Sequence, residues 1–157
     1  MTTEKNKYMQ LAIDLAKKSV ENGGGPFGAV IVRNGKIVSQ SSNNVTKNND
    51  PTAHAEVTAI RLAAGKLKNF DLSDCEIYTS CEPCPMCLGA IYWARIQKIY
   101  YACNKEDAKN AGFDDSFIYK ELEKTPENRY IPLIPIMRTE ALEAFEMWKD
   151  KEDKTEY

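Results

Sequence analysis

Met9, Ala12, Ile13, Ala16 and Val20 recur at intervals of three and four along a polar background, which predicts an amphipathic helix over residues 7–21. Asn22-Gly23-Gly24-Gly25-Pro26 stops it. The pattern then becomes a short apolar run, and Phe27–Val32 reads as a strand joined through Asn34-Gly35, a strong hairpin signal, to a second strand over residues 36–41. Asp50-Pro51 predicts the start of the next helix, a capping aspartate followed by a proline where a missing N–H costs nothing. Good helix formers continue to Ala64, before Gly65. Residues 75–79 predict a strand, 85–94 a helix, 98–102 a short strand and 105–124 partial helix. Ile131–Met137 predicts a final strand, which Pro132 and Pro135 assign to an edge or bulge. Leu142, Phe145, Met147 and Trp148 predict a last helix before the polar tail 151–157.

An initial hairpin followed by alternating helices and strands implies a sheet covered on both faces. The expected fold is therefore α/β, a three-layer α/β/α sandwich with a mixed central sheet, formed by one domain over residues 1–157. No repeat or low-complexity linker interrupts it.

The 157 residues, 43% hydrophobic and 28% charged, suffice for one sizeable core but not for two catalytic domains. A net charge of −2 argues against a basic nucleic-acid module and makes a nucleic-acid partner an unfavoured expectation. No secretory leader is apparent and no apolar run reaches the length of a membrane span, so the expected location is the cytoplasm, with no membrane partner. Five cysteines in such a chain point to metal or thiol chemistry rather than a disulfide framework. The glycines of residues 23–25 are turn residues, since neither G-x-G-x-x-G nor a terminal Gly-Lys-Ser/Thr is present.

With His54 the single histidine, any multi-histidine metal site within the chain is excluded. What remains is His54-Ala55-Glu56 together with Pro83-Cys84-Pro85-Met86-Cys87. Cysteines at i and i+3 approach one side of a helix start, where free N–H groups stabilise thiolates. A histidine from a second helix start completes a Cys₂His set with a fourth tetrahedral position left for water. Zinc suits these ligands better than magnesium or calcium, and two thiolates with a neutral imidazole neutralise its charge. Glu56 is then better used as a proton shuttle than as a fourth ligand, and the chemistry is hydrolytic deamination of an electron-poor ring carbon. Taken separately, a Cys-x-x-Cys also suits a structural zinc fragment or a redox pair, and a lone histidine a core position. The combined H-x-E and P-C-x-x-C pattern is that of zinc nucleobase deaminases.

On these residues the chain resembles the cytidine deaminase-like superfamily from about Lys7 onward, most densely over residues 51–56 and 79–87. Residues 24–32, 111–119 and the closing Tyr157 are similar to the small bacterial guanine deaminase branch. The resemblance implies conversion of guanine and water to xanthine and ammonia, a step of guanine catabolism. It implies one Zn²⁺ per subunit on His54, Cys84 and Cys87, with Glu56 as general acid and base. It further implies that Asn43, Asp115, Phe27, Trp93 and Tyr157 bind the purine base, and that the protein is a homodimer with an exchanged C-terminal segment.

Chemistry supports part of that list. A carboxylate at Asp115 matches the two donor N–H groups on guanine's amino-bearing edge, a pair that adenine lacks. Asp114 and Asp115 also suit turn or helix capping, and Phe27, Trp93 and Phe113 suit core as well as pocket. Cys75 and Cys103 are expected to be small core residues, with Cys81 near the site but not a ligand. Deamination of cytosine, of a nucleoside or of tRNA adenosine shares the zinc chemistry, and a noncatalytic zinc-supported interaction domain is the reading outside enzymes.

Overall fold

The computed structural model describes residues 2–157, which contain helices α1 (Thr2–Glu21), α2 (Val45–Asn48), α3 (Ala55–Leu67), α4 (Pro85–Trp93), α5 (Lys105–Asn110), α6 (Ser116–Glu123) and α7 (Arg138–Asp150). The strands are β1 (Gly28–Arg33), β2 (Lys36–Ser42), β3 (Cys75–Cys81) and β4 (Lys98–Cys103). They form one sheet in the order β2-β1-β3-β4, antiparallel except for the β3–β4 pair, whose parallel crossover is α4.

The alternation along β1 divides the core. Ala29 and Ile31 pack on one face with Ala55, Ala59 and Ala63 of α3 and Ile91 of α4, while Val30 and Val32 pack on the other with Ala12 of α1 and Tyr78. The mixed sheet with helices on both faces is the expected three-layer sandwich. At Gly28 the sheet runs close beneath α1. A Cβ at that position would clash with the Ala12 carbonyl oxygen, so only glycine fits beneath the helix.

The chain divides into two compact units, the first ending at Asp115 and the second running Ser116–Tyr157. In the second, Glu121 accepts the Tyr130 N–H at 2.6 Å and its carbonyl accepts Arg129 Nε–H at 3.1 Å, tying the segment after α6 back onto that helix. Trp148 and Tyr157 meet edge to face with ring centroids 6.3 Å apart.

Three expectations change. Ile131–Met137 is not a strand among the described residues: it joins no ladder, Pro132 and Pro135 have no N–H to give one, and Met137 takes a left-handed turn (φ 52°) into α7. The helix expected from Asp50-Pro51 begins instead at Ala55, because Asp50 Oδ1 accepts the Thr52 N–H (2.8 Å) and hydroxyl (2.7 Å) in a local turn. Cys103 is exposed rather than core, since β4 is the outer strand of the sheet and its side chains past Tyr100 are open.

Candidate metal centre

His54 and Cys84 occupy equivalent positions, each the extended residue immediately before a helix. His54 (φ −64°, ψ 156°) precedes α3 and Cys84 (φ −67°, ψ 169°) precedes α4, where Pro85 takes the first helical position. Neither side chain caps its own helix. Both turn to the same point, where the Cys84 and Cys87 sulfurs lie 3.6 and 3.5 Å from His54 Nδ1. Among the described residues these three form one group whose ligand atoms all fall within 4.8 Å of each other.

The set fits zinc. Tetrahedral coordination with Zn–S of about 2.3 Å and Zn–N of about 2.0–2.1 Å separates nitrogen from sulfur by about 3.6 Å. The two observed N···S distances, 3.6 and 3.5 Å, match the edge that such a tetrahedron would have. Electrostatics agrees. Cys84 is held well below the usual thiol range, chiefly by the hydrogen bond from the Cys87 thiol and then by His54, while burial opposes the shift. Cys87 is pushed up because it keeps the shared proton and is buried. The same Cys84 contact raises His54. A bound zinc ion would take the place of the protons that hold this triad together.

Glu56 stands in the first turn of α3, 6% exposed, with Oε2 3.4 Å from the Cys87 sulfur. Burial is the main cause that pushes its carboxyl above the ordinary range. It borders the ligand set without belonging to it, as a proton carrier requires.

Phe27 packs against the core cluster that includes Ala55, the residue between His54 and Glu56. The Asn43 N–H donates to the Phe27 carbonyl at 3.0 Å, and Asn43 Oδ1 accepts the Val45 N–H at 3.1 Å, so the side-chain amide is oriented with Nδ2 as its remaining donor face. The Phe27 ring meets Phe113 edge to face at 5.0 Å. That contact gives Phe113 a defined place beside Phe27, which spacing along the chain alone did not separate from a core position. Asp115 is half-buried, and burial together with the nearby Cys84 charge raises its carboxyl, against the pull of Lys105.

Trp93 and Tyr157 are the two remaining residues expected at the base. Trp93 ends α4, nine residues and about 13 Å of helix from Cys84, and is 73% exposed. With Leu88, Gly89 and Tyr92 it lines a surface cavity of about 390 Å³. Tyr157 belongs to the second unit, beside Trp148. Cys75 is a core residue, raised to about 11 by burial, and Cys81 reaches about 11 for the same reason, its sulfur 3.6 Å from the Asn104 carbonyl and outside the ligand group.

Residues 2–103 match the family model of the cytidine and deoxycytidylate deaminase zinc-binding region. The chain is 56% identical over 151 residues to a guanine deaminase of Bacillus subtilis, covering 96% of this chain and 97% of that one. It is 40% identical over 108 residues to a tRNA-specific adenosine deaminase of Aquifex aeolicus, covering 69% and 70%. An X-ray structure of guanine deaminase from Bacillus subtilis superposes with a TM-score of 0.94 at 55% identity, covering 97% of this chain and 98% of that chain. A guanine deaminase from Nitrosomonas europaea gives 0.66 at 32% identity, covering 77% and 66%.

Proposed function

The chain belongs to the cytidine and deoxycytidylate deaminase family, and from that premise we propose that it is a zinc-dependent aminohydrolase converting guanine and water to xanthine and ammonia. One observation carries the substrate: the likeness to the Bacillus subtilis guanine deaminase spans nearly the whole of both chains, whereas that to the Aquifex aeolicus tRNA adenosine deaminase covers 69% of this one.

His54, Cys84 and Cys87 hold one Zn²⁺, and two thiolates with a neutral imidazole balance its charge. When bound, zinc supplies acidified water as a nucleophile at neutral pH. Glu56 accepts one proton of the attacking water on its carboxylate and delivers it to the ring nitrogen beside the attacked carbon; it then takes the second proton from the added hydroxyl as the carbonyl forms and passes it to the amino group, which leaves as ammonia when the C–N bond breaks. Its burial favours the protonated carboxyl needed for that second role.

Asn43 reads the purine with its remaining amide donors, Phe27 packs on the ring, and Asp115 accepts the two N–H groups of guanine's amino edge. Trp93 and Tyr157 act on the base from the pocket's periphery in the assembled enzyme. That assembly is a homodimer in which residues 151–157 close the partner's site. Supporting it, Ile134, Ile136 and Met147 of the second unit are 75%, 79% and 74% exposed, and Tyr92 and Trp93 on α4 are 75% and 73% exposed, more apolar surface than a lone subunit usually leaves to water. Among the described residues no helix is long and apolar enough to cross a membrane. A cytoplasmic setting accords with this chemistry, because the ligand thiolates need reducing conditions.

The test is xanthine and ammonia formation by purified zinc-loaded protein offered guanine, guanosine, adenine, cytosine, cytidine and a tRNA anticodon loop. Turnover confined to guanine, lost on chelation and restored by zinc, is expected. Turnover of another substrate with none of guanine overturns the assignment.

A further inference from the structure

Glu82 precedes Cys84 by two residues, in the loop between β3 and α4, and the metal chemistry makes no use of it. Its N–H donates to the Cys103 carbonyl at 2.8 Å, and its carboxylate Oε2 accepts the Lys105 N–H at 3.1 Å. Lys105 is the first residue of α5. Asn104 and Asp107 cap that helix reciprocally, Asn104 Oδ1 accepting the Asp107 N–H at 3.0 Å and Asp107 Oδ2 the Asn104 N–H at 2.9 Å. This box leaves the Lys105 N–H unsatisfied, and Glu82 takes it.

The other end of α5 is equally constrained. Gly112, at φ 95°, turns the chain, and the Phe113 N–H returns to the Ala108 carbonyl at 2.9 Å. The Phe113 ring is thereby set against Phe27, and Asp115 follows two residues later, within electrostatic reach of both Cys84 and Lys105. A capped helix of six residues thus spans from the loop carrying Cys84 to Phe113 and Asp115.

We infer that Glu82 is a positioning residue for base recognition: by holding the Lys105 N–H it fixes α5, and through it Phe113 and Asp115, relative to the metal ligands. The inference rests on the assignment of guanine as substrate. It separates two duties within one loop, Cys84 holding metal and Glu82 setting the distance between the metal ligands and the groups that read the purine.

Zinc-loaded Glu82→Ala and Glu82→Gln are compared with the parent for zinc content, for kcat and KM with guanine, and for Kd with 8-azaguanine, a guanine analogue. Loss of a carboxylate hydrogen bond is expected to raise KM and the 8-azaguanine Kd on the order of tenfold, with kcat changed by less than about threefold and zinc retained. Glu82→Gln keeps an acceptor oxygen and recovers most of that affinity. In an Asp115→Ala background Glu82→Ala adds less than about twofold to the Kd, because the two act through one contact. Lys105→Pro against Lys105→Ala probes the same bond from the donor side, and proline, which suits a first helical position after an extended residue, is expected to reproduce the affinity loss. Unchanged affinity in Glu82→Ala and in Lys105→Pro, an equal loss in Glu82→Gln, or zinc loss with each variant overturns the inference. No guanine turnover by the parent overturns the substrate assignment and this inference with it, a result visible before any variant is made.

Discussion

Glu56 Oε2 lies 3.4 Å from the Cys87 sulfur, so this carboxyl touches the edge of the ligand set while remaining outside it. Holding metal and moving protons are therefore separable by mutation. Glu56→Gln is expected to retain zinc and lower guanine turnover by about 10²–10⁴, the range of a lost general acid–base. Cys84→Ser removes a thiolate, so zinc itself is lost and turnover falls with it. Metal analysis beside the xanthine assay distinguishes the two, and a Glu56→Gln protein with parental kinetics would sink the proton-carrier role.

The buried Glu56 carboxyl also predicts a pH effect in chelated protein. Its folded pKa is raised, so the folded state binds the proton more tightly than the unfolded state does. Below the unfolded value, about 4.3 for a glutamate, both states are protonated and no penalty exists. As pH rises through the folded pKa, the cost of a buried carboxylate appears in full. Glu56→Gln carries no such charge. The Tm advantage of metal-free Glu56→Gln over its metal-free parent is expected to be near zero at pH 4 and positive at pH 8; a difference independent of pH would contradict the assignment to burial.

Asp115→Ala is expected to keep zinc and fold and to lower guanine kcat/KM by about 10²–10³, as when one member of a partly desolvated charged hydrogen bond is removed. Guanine kinetics equal to the parent's would reject its role in reading the amino edge and favour simple capping.

Removal of residues 151–157 is expected to reduce turnover at least about tenfold with zinc unchanged, since a closing segment excludes water from the site. Mixing this truncated protein with Glu56→Gln subunits provides a sharper readout. If tails cross between protomers, mixed dimers pair an intact tail with an intact Glu56 and regain activity. No regain under exchanging conditions would place each tail over its own site.

The metal centre was legible because its chemistry is local: His-x-Glu and Cys-x-x-Cys each occupy a helix start, and the only histidine leaves no competing ligand. The helix boundary beside it was harder. Asp50-Pro51 carries ordinary start signals, yet Asp50 binds Thr52 in a local turn and the helix waits for Ala55. Apolar content also misled at Ile131–Met137, where a strand pattern exists but the prolines and the left-handed Met137 leave no ladder. Cys103 looked like core because its neighbours are apolar; only the strand order shows that β4 is an edge. The Phe27–Phe113 contact and the Glu82–Lys105 bond join residues far apart in sequence, with no periodicity to announce either.

The close approach at Gly28 has a practical meaning for redesign around the Phe27–Phe113 contact. Phe27 and Phe113 form an adjustable pair, since an edge-to-face contact tolerates exchange among rings and branched aliphatics if volume is shared between them. Position 28, one residue away, offers no such latitude: any side chain there lifts α1 from the sheet. A combinatorial library over these positions gains diversity from 27 and 113 and loses every member that varies 28.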